Sequence, residues 1–143
     1  MAMPSRLDFS EEKKRAWLRG DTIPAMPFTI TEDDGDTPVD LTGAQIVMDI
    51  YERIDGAVLA RLRTSNAPAI GGGKPEGTIT VSDADGGVGQ IDQVPPSVTN
   101  ALIASKSKRK VSRWYTFEIR WPGSPDVVIT PFSGFIEVLP DGT

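Results

Sequence analysis

The chain has 143 residues, enough for one domain that buries about two-thirds of its unfolded surface without a metal or a disulfide. It contains no cysteine and no histidine. That excludes disulfides, thiolate metal sites and Ser–His or Cys–His catalytic units, and it removes the commonest general acid–base at neutral pH. A net charge of −5 is the wrong sign for a nucleic-acid binder, which presents a basic face.

The first residues differ in character from the rest, and the chain reads as an N-terminal docking segment over 1–21 followed by a β domain over 22–143. Ser10 with Glu11 and Glu12, then Lys13, Lys14 and Arg15, then Gly20, predicts a short helix with a hydroxyl cap, acids at its positive end and a glycine stop. Trp17 and Leu18 are its only large apolar residues. Two turns are not stable alone in water, so the segment must dock on its own domain or on a neighbour. No apolar run resembles a signal-peptide core.

From Thr22 the pattern has period two. Met26, Phe28 and Ile30 define a first strand, and Pro24 and Pro27 suit an edge or a bulge because neither has a ladder donor. A polar turn over 32–38 leads to a second strand carrying Ala44, Ile46, Met48 and Ile50. Asp55-Gly56 predicts a hairpin into a third strand over 58–63. A loop over 64–76 precedes short strands over 77–81 and 88–92, separated by a turn at 83–87. Pro95 and Pro96 open a short helix to about residue 105, with Val98 and Leu102 one turn apart.

The strongest alternation follows. Tyr115, Phe117, Ile119 and Trp121 share one face, and Trp114, Thr116, Glu118 and Arg120 the other. Residues 127–132 and 134–139 predict one long last strand bent near Pro131 or Gly134. The expected fold class is mainly β, an antiparallel two-sheet sandwich of about seven strands. Its expected core is Met26, Phe28, Ile30, Ile46, Met48, Ile50, Ile79, Ile91, Tyr115, Phe117, Ile119, Trp121, Ile136 and Val138.

Four local motifs suggest chemistry, and each has a simpler explanation. Gly71-Gly72-Gly73-Lys74 lacks the earlier glycine of a phosphate loop, where Pro68 stands, and Pro75 replaces the hydroxyl residue after lysine. Asp83-Ala84-Asp85-Gly86 fails the calcium-loop pattern, with Val88 and Val94 where glycine and glutamate belong. It reads instead as a turn held by aspartate side chains, and the acidic stretch 32–36 reads as a solvated loop. Lys106, Lys108, Arg109 and Lys110 lie beside Trp114 and Tyr115, a mixture that can bind single-stranded nucleic acid. The acidic whole favours a solvated loop, or one that meets an acidic patch on a partner. No cofactor and no metal is expected. A two-carboxylate glycosidase needs a cleft that short loops do not provide.

The order of features over 22–139 resembles a known module. Asp21-Thr22-Ile23 opens it, and Val39-Asp40-Leu41-Thr42-Gly43-Ala44 enters the second strand. Then come Met48, Ile50 and Tyr51, the Asp55-Gly56 hairpin and Gly86-Gly87. The aromatic strand with Trp114, Tyr115, Phe117 and Ile119 and the closing Gly134-Phe135-Ile136-Glu137-Val138 complete it. This is similar to the immunoglobulin-like β-sandwich domains of the phage baseplate upper protein type, with Ser112-Arg113 where those domains usually carry a glycine. The resemblance implies a non-enzymatic virion component of a tailed bacteriophage, in the tail, neck, baseplate or fibre attachment. It would be made in the host cytoplasm and be present in several copies. Its partners would be other virion proteins, with neither nucleic acid nor membrane bound.

Aromatic and basic anchors dominate such interfaces, so Trp17, Leu18, Lys106, Lys108, Arg109, Lys110 and Trp114 are the expected partner-binding residues. The alternative is a carbohydrate-binding or adhesin module for host attachment, in which the outward Trp114, and Tyr51 with it, stack on sugar rings.

Overall fold

In a computed structural model, which describes residues 17–32, 34–104 and 106–140, the alternating segments become eight strands and one short helix. They are β1 (Trp17–Leu18), β2 (Met26–Thr29), β3 (Gln45–Tyr51), β4 (Val58–Arg63), β5 (Glu76–Asp83), β6 (Val88–Ile91), α1 (Pro96–Ala101), β7 (Val111–Trp121) and β8 (Val127–Leu139). Where two antiparallel sheets were expected, all eight strands are hydrogen-bonded in one curled mixed sheet, in the order β1-β8-β7-β3-β4-β5-β6-β2.

Two ladders are parallel, β1 with β8 and β4 with β5. The second explains the continuity. Parallel neighbours need a long crossover, and the loop between β4 and β5 supplies it, so β5 returns alongside β4 and joins the two halves. Curling then closes the core. Phe117 on β7 meets Phe28 on the far edge strand and Phe132 on β8, both edge-to-face at 5.1 Å between ring centres.

The predicted core residues are buried in one cluster, except that Met26 and Trp121 are only partly covered. Leu41, Ala60, Leu62, Val94, Val98, Leu102 and Ile103 join them. The long last strand is a single β8 of 13 residues. Its register against β7 jumps from Phe117↔Phe132 to Ile119↔Ile129. One residue of β7 therefore faces Thr130 and Pro131, a bulge that accommodates a proline without a ladder donor.

The N-terminal stretch departs from the expected helix where the structure describes it. Residues 10–16 of the predicted helix lie outside the described residues. Trp17 and Leu18 are strand, not helix, and pair with Val138 and Leu139. Gly20 has φ +86° in a turn that follows the strand instead of stopping a helix. Thr99 of α1 then clamps this stretch, its hydroxyl accepting from the Gly20 N–H at 3.1 Å and donating to the Asp21 carbonyl at 3.0 Å. Residues 17–21 thus pack onto the sheet domain, and the boundary drawn at 21 falls inside it.

Helix α1 is also shorter than predicted. The Leu102 carbonyl accepts from Arg113 Nε at 2.6 Å and the Ile103 carbonyl from Arg19 Nε at 3.2 Å. Side-chain donors satisfy the terminal carbonyls that another turn would have bonded.

Candidate protein-docking surface

Period two sends every second side chain of β8, β7 and β3 away from the core. On that outer face the ladders set Tyr51 opposite Trp114 and Trp114 opposite Phe135, a row of three aromatic residues crossing three strands. The Trp114 and Phe135 rings meet edge-to-face at 5.0 Å. Trp114 is half-buried, whereas Phe135 is 55% exposed. Cross-strand aromatic pairs stabilise a sheet, but an exposed ring carried on a second ring is also a preformed apolar anchor.

The row continues toward the β8 terminus. Leu139 is 36% exposed and lies opposite the half-buried Leu18. Between Phe135 and Leu139 stands Glu137, whose carboxylate accepts from Lys110 Nζ at 3.2 Å. The patch is thus apolar with one exposed ion pair across it. Such a pair adds little stability in water.

Beside the aromatic row lies an open polar cavity of about 350 Å³, lined among others by Val47, Tyr51, Pro68 and Thr116. Arg61 grips Asp49 in a bidentate pair at 2.7 and 3.0 Å. Arg120 bonds Asp126 at 3.0 Å and Glu118 at 3.3 Å. The charges of this cavity are therefore already matched within the sheet.

Of the expected anchors, the structure brings Leu18, Lys110 and Trp114 onto this one face. Lys106, Lys108 and Arg109 are exposed on the loop before β7 and form no ion pair among the described residues. Trp17 does not belong to the surface. It is 1% exposed, among the largest fully buried side chains, because its strand position turns the indole inward beside Val138. Phe135 was missed, although its signal was available: if Ile136 and Val138 face inward, residue 135 must face out.

The remaining motifs have local roles. Lys74 Nζ donates to the Val58 carbonyl, which ties the glycine loop down. Asp34 accepts from the Thr37 hydroxyl at 2.6 Å and from the Thr37 and Asp36 amides at 2.8 Å. These bonds, the Thr37 hydroxyl foremost, hold its carboxyl at a pKa of about 2. Asp83 accepts from the Gly86 N–H at 3.1 Å, as the turn reading requires. Among the described residues, no helix is long and apolar enough to cross a membrane. Compared with known proteins, the chain matches no family model, and no curated protein resembles it significantly.

Proposed function

We propose that this chain is a non-enzymatic structural component of a tailed-phage virion that works by holding neighbouring virion proteins through its outer sheet face. The immunoglobulin-like sandwich type of the resembling baseplate domains is part of this reading, with the curled sheet as its form here. The observation that carries the docking role is Phe135, an exposed ring seated on Trp114 with Leu18 and Leu139 along the same face. Binding energy concentrates on rigid aromatic anchors surrounded by polar contacts. Here the sheet fixes the anchor, and the exposed cations of the 106–110 loop provide the polar surround.

The test is incorporation. Mass spectrometry of purified particles should find the chain in several copies. Particles assembled with Phe135→Asp should lose it, while the isolated variant keeps the wild-type circular dichroism. Normal incorporation of a folded Phe135→Asp chain would overturn the docking role, and absence of the wild-type chain from particles would overturn the virion assignment.

Carbohydrate binding is a second reading, favoured by the Tyr51–Trp114 cross-strand pair beside a polar cavity. Trp114→Ala should then abolish glycan-array signal. Silence of the wild-type array would discard this reading.

A further inference from the structure

We infer that the edge of β8 left open by the described residues pairs with the same edge of a second copy of this chain, forming a two-fold antiparallel ladder over residues 127–136. This goes beyond the virion assignment and does not depend on it.

The two edges of the sheet are treated differently. At one end, β2 has four residues with Pro27 among them. Short length protects an edge against strand addition; proline does not distinguish the two edges, since β8 carries Pro131 as β2 carries Pro27. At the other end, β8 has 13 residues, and among the described residues β1 covers only Val138 and Leu139. The uncovered stretch, residues 127–136, contains no charged side chain. Val127 is 56% and Val128 41% exposed. A long, uncharged, apolar edge is a template for another strand.

The backbone alternation specifies which groups are free. The Leu139 carbonyl accepts from the Arg19 N–H, so residue 139 points away from β7. Counting back in twos, Phe135 and Ser133 also point outward. Phe132, which faces Phe117 across the ladder, points toward β7. Beyond the bulge, Ile129 faces Ile119 two residues further along β7, so Ile129 and Val127 point inward to the ladder. Val128 and Thr130 point outward.

One two-fold register satisfies both the faces and the free backbone groups. It sets Val128 opposite Phe135 of the second copy and Thr130 opposite Ser133 of the second copy. All four carry outward backbone groups, so both are hydrogen-bonded pairs. Val128 lies across from Arg120 and Phe135 across from Trp114, which puts both on the outer face, and the match is apolar. On the inner face, Ile129 meets Gly134, a large residue against a small one. Pro131 and Phe132 fall together at the two-fold axis, so the single proline interruption of each edge coincides with that of the other. Shifting the register by one residue would place inward-face residues against outward ones.

The apolar ladder ends at an ion-paired acid on each strand. This register brings Asp126 opposite Glu137 of the second copy. Asp126 is already held by Arg120, and Glu137 by Lys110. The two acids therefore meet as like charges, each neutralised by a cation of its own copy, and this end of the ladder gains nothing from charge. An isologous contact of this sort closes at two copies.

The experiment is sedimentation of the purified full chain from about 1 to about 500 µM, combined with amide hydrogen exchange. The expected mass rises toward twice 15.4 kDa, and the Val128, Thr130, Ser133 and Phe135 amides become protected with the same concentration dependence. Ser133→Pro removes one outward N–H and leaves the β7 ladder its bonds. Val128→Lys puts a cation against Phe135 of the second copy. Each should raise the dissociation constant at least about tenfold with unchanged circular dichroism. A monomer throughout the range would overturn the inference, whether or not those amides are protected. A dimer indifferent to Val128→Lys would overturn it too, even if Ser133→Pro failed to fold.

Discussion

Two aromatic residues of similar standing in the sequence have opposite roles in the structure. Trp17 fills the core at 1% exposure, while Phe135 stands on the outer face. Trp17→Ala should cost about 3–5 kcal/mol, the usual range for emptying a large aromatic site that the surroundings only partly refill. Phe135→Ala should stay within about 0.5–1 kcal/mol, the loss of one surface aromatic pair. Urea denaturation of both variants measures the contrast, and equal losses would refute the assignment of faces. Asp34 supplies a residue-scale prediction in pH. Its folded pKa, about 2, lies below the ordinary carboxylate value of about 3.9. The stabilisation of the 34–37 turn is therefore complete above the unfolded value and is lost as pH falls through the folded one. Carbon-detected NMR titration should place the Asp34 carboxyl midpoint near 2, and in Thr37→Val, which removes the leading hydroxyl donor, the midpoint should move up.

At the scale of elements, turns and bulges decide how the strands are aligned. Gly87, between β5 and β6, has φ +69°, and a Cβ there would stand 2.5 Å from the Ile30 carbonyl oxygen and 2.9 Å from that of Val39. Gly43 has a comparable φ of +74° and open space around it. Alanine at either position meets the left-handed penalty of about 1–2 kcal/mol, but only Gly87→Ala also forces backbone apart. Gly87→Ala should therefore lower the denaturation midpoint clearly more than Gly43→Ala, and equal midpoints would show that the β2 connection yields freely. Strands such as β3 and β7 were legible in the sequence because alternation over seven to eleven residues leaves one assignment of faces. β1 was not legible, since two residues carry no period and its strand character comes only from β8. The parallel β4–β5 ladder was equally hidden, because pairing across a long loop is a non-local choice that local propensity does not encode. The candidate docking face was half visible. Trp114 and Lys110 were read from composition, whereas Phe135 needed the parity of its neighbours and Leu18 needed the β1–β8 register.

Considered whole, the molecule is one sheet whose halves are held together by a shared core, so it has no internal seam along which to unfold. Phe117 touches Phe28 from one edge strand and Phe132 from the opposite flank, while Trp17 closes the core beside β8. A domain built this way should unfold in a single transition, and far-UV circular dichroism and tryptophan fluorescence should give coincident curves. The same connectivity determines where the domain begins. A chain starting at residue 22, the boundary suggested by composition, loses β1, the Trp17 indole and the Thr99 bonds to Gly20 and Asp21. A chain starting at residue 17 keeps all of them. The shorter chain should be less stable than the longer by at least the Trp17 contribution of about 3–5 kcal/mol. If the two chains had the same denaturation midpoint, β1 would be an adherent tail and the core would close without it. If the chain from residue 17 alone matched the full-length midpoint, the folding unit would begin at Trp17, and whatever the preceding residues contribute would lie outside the stability of the sheet.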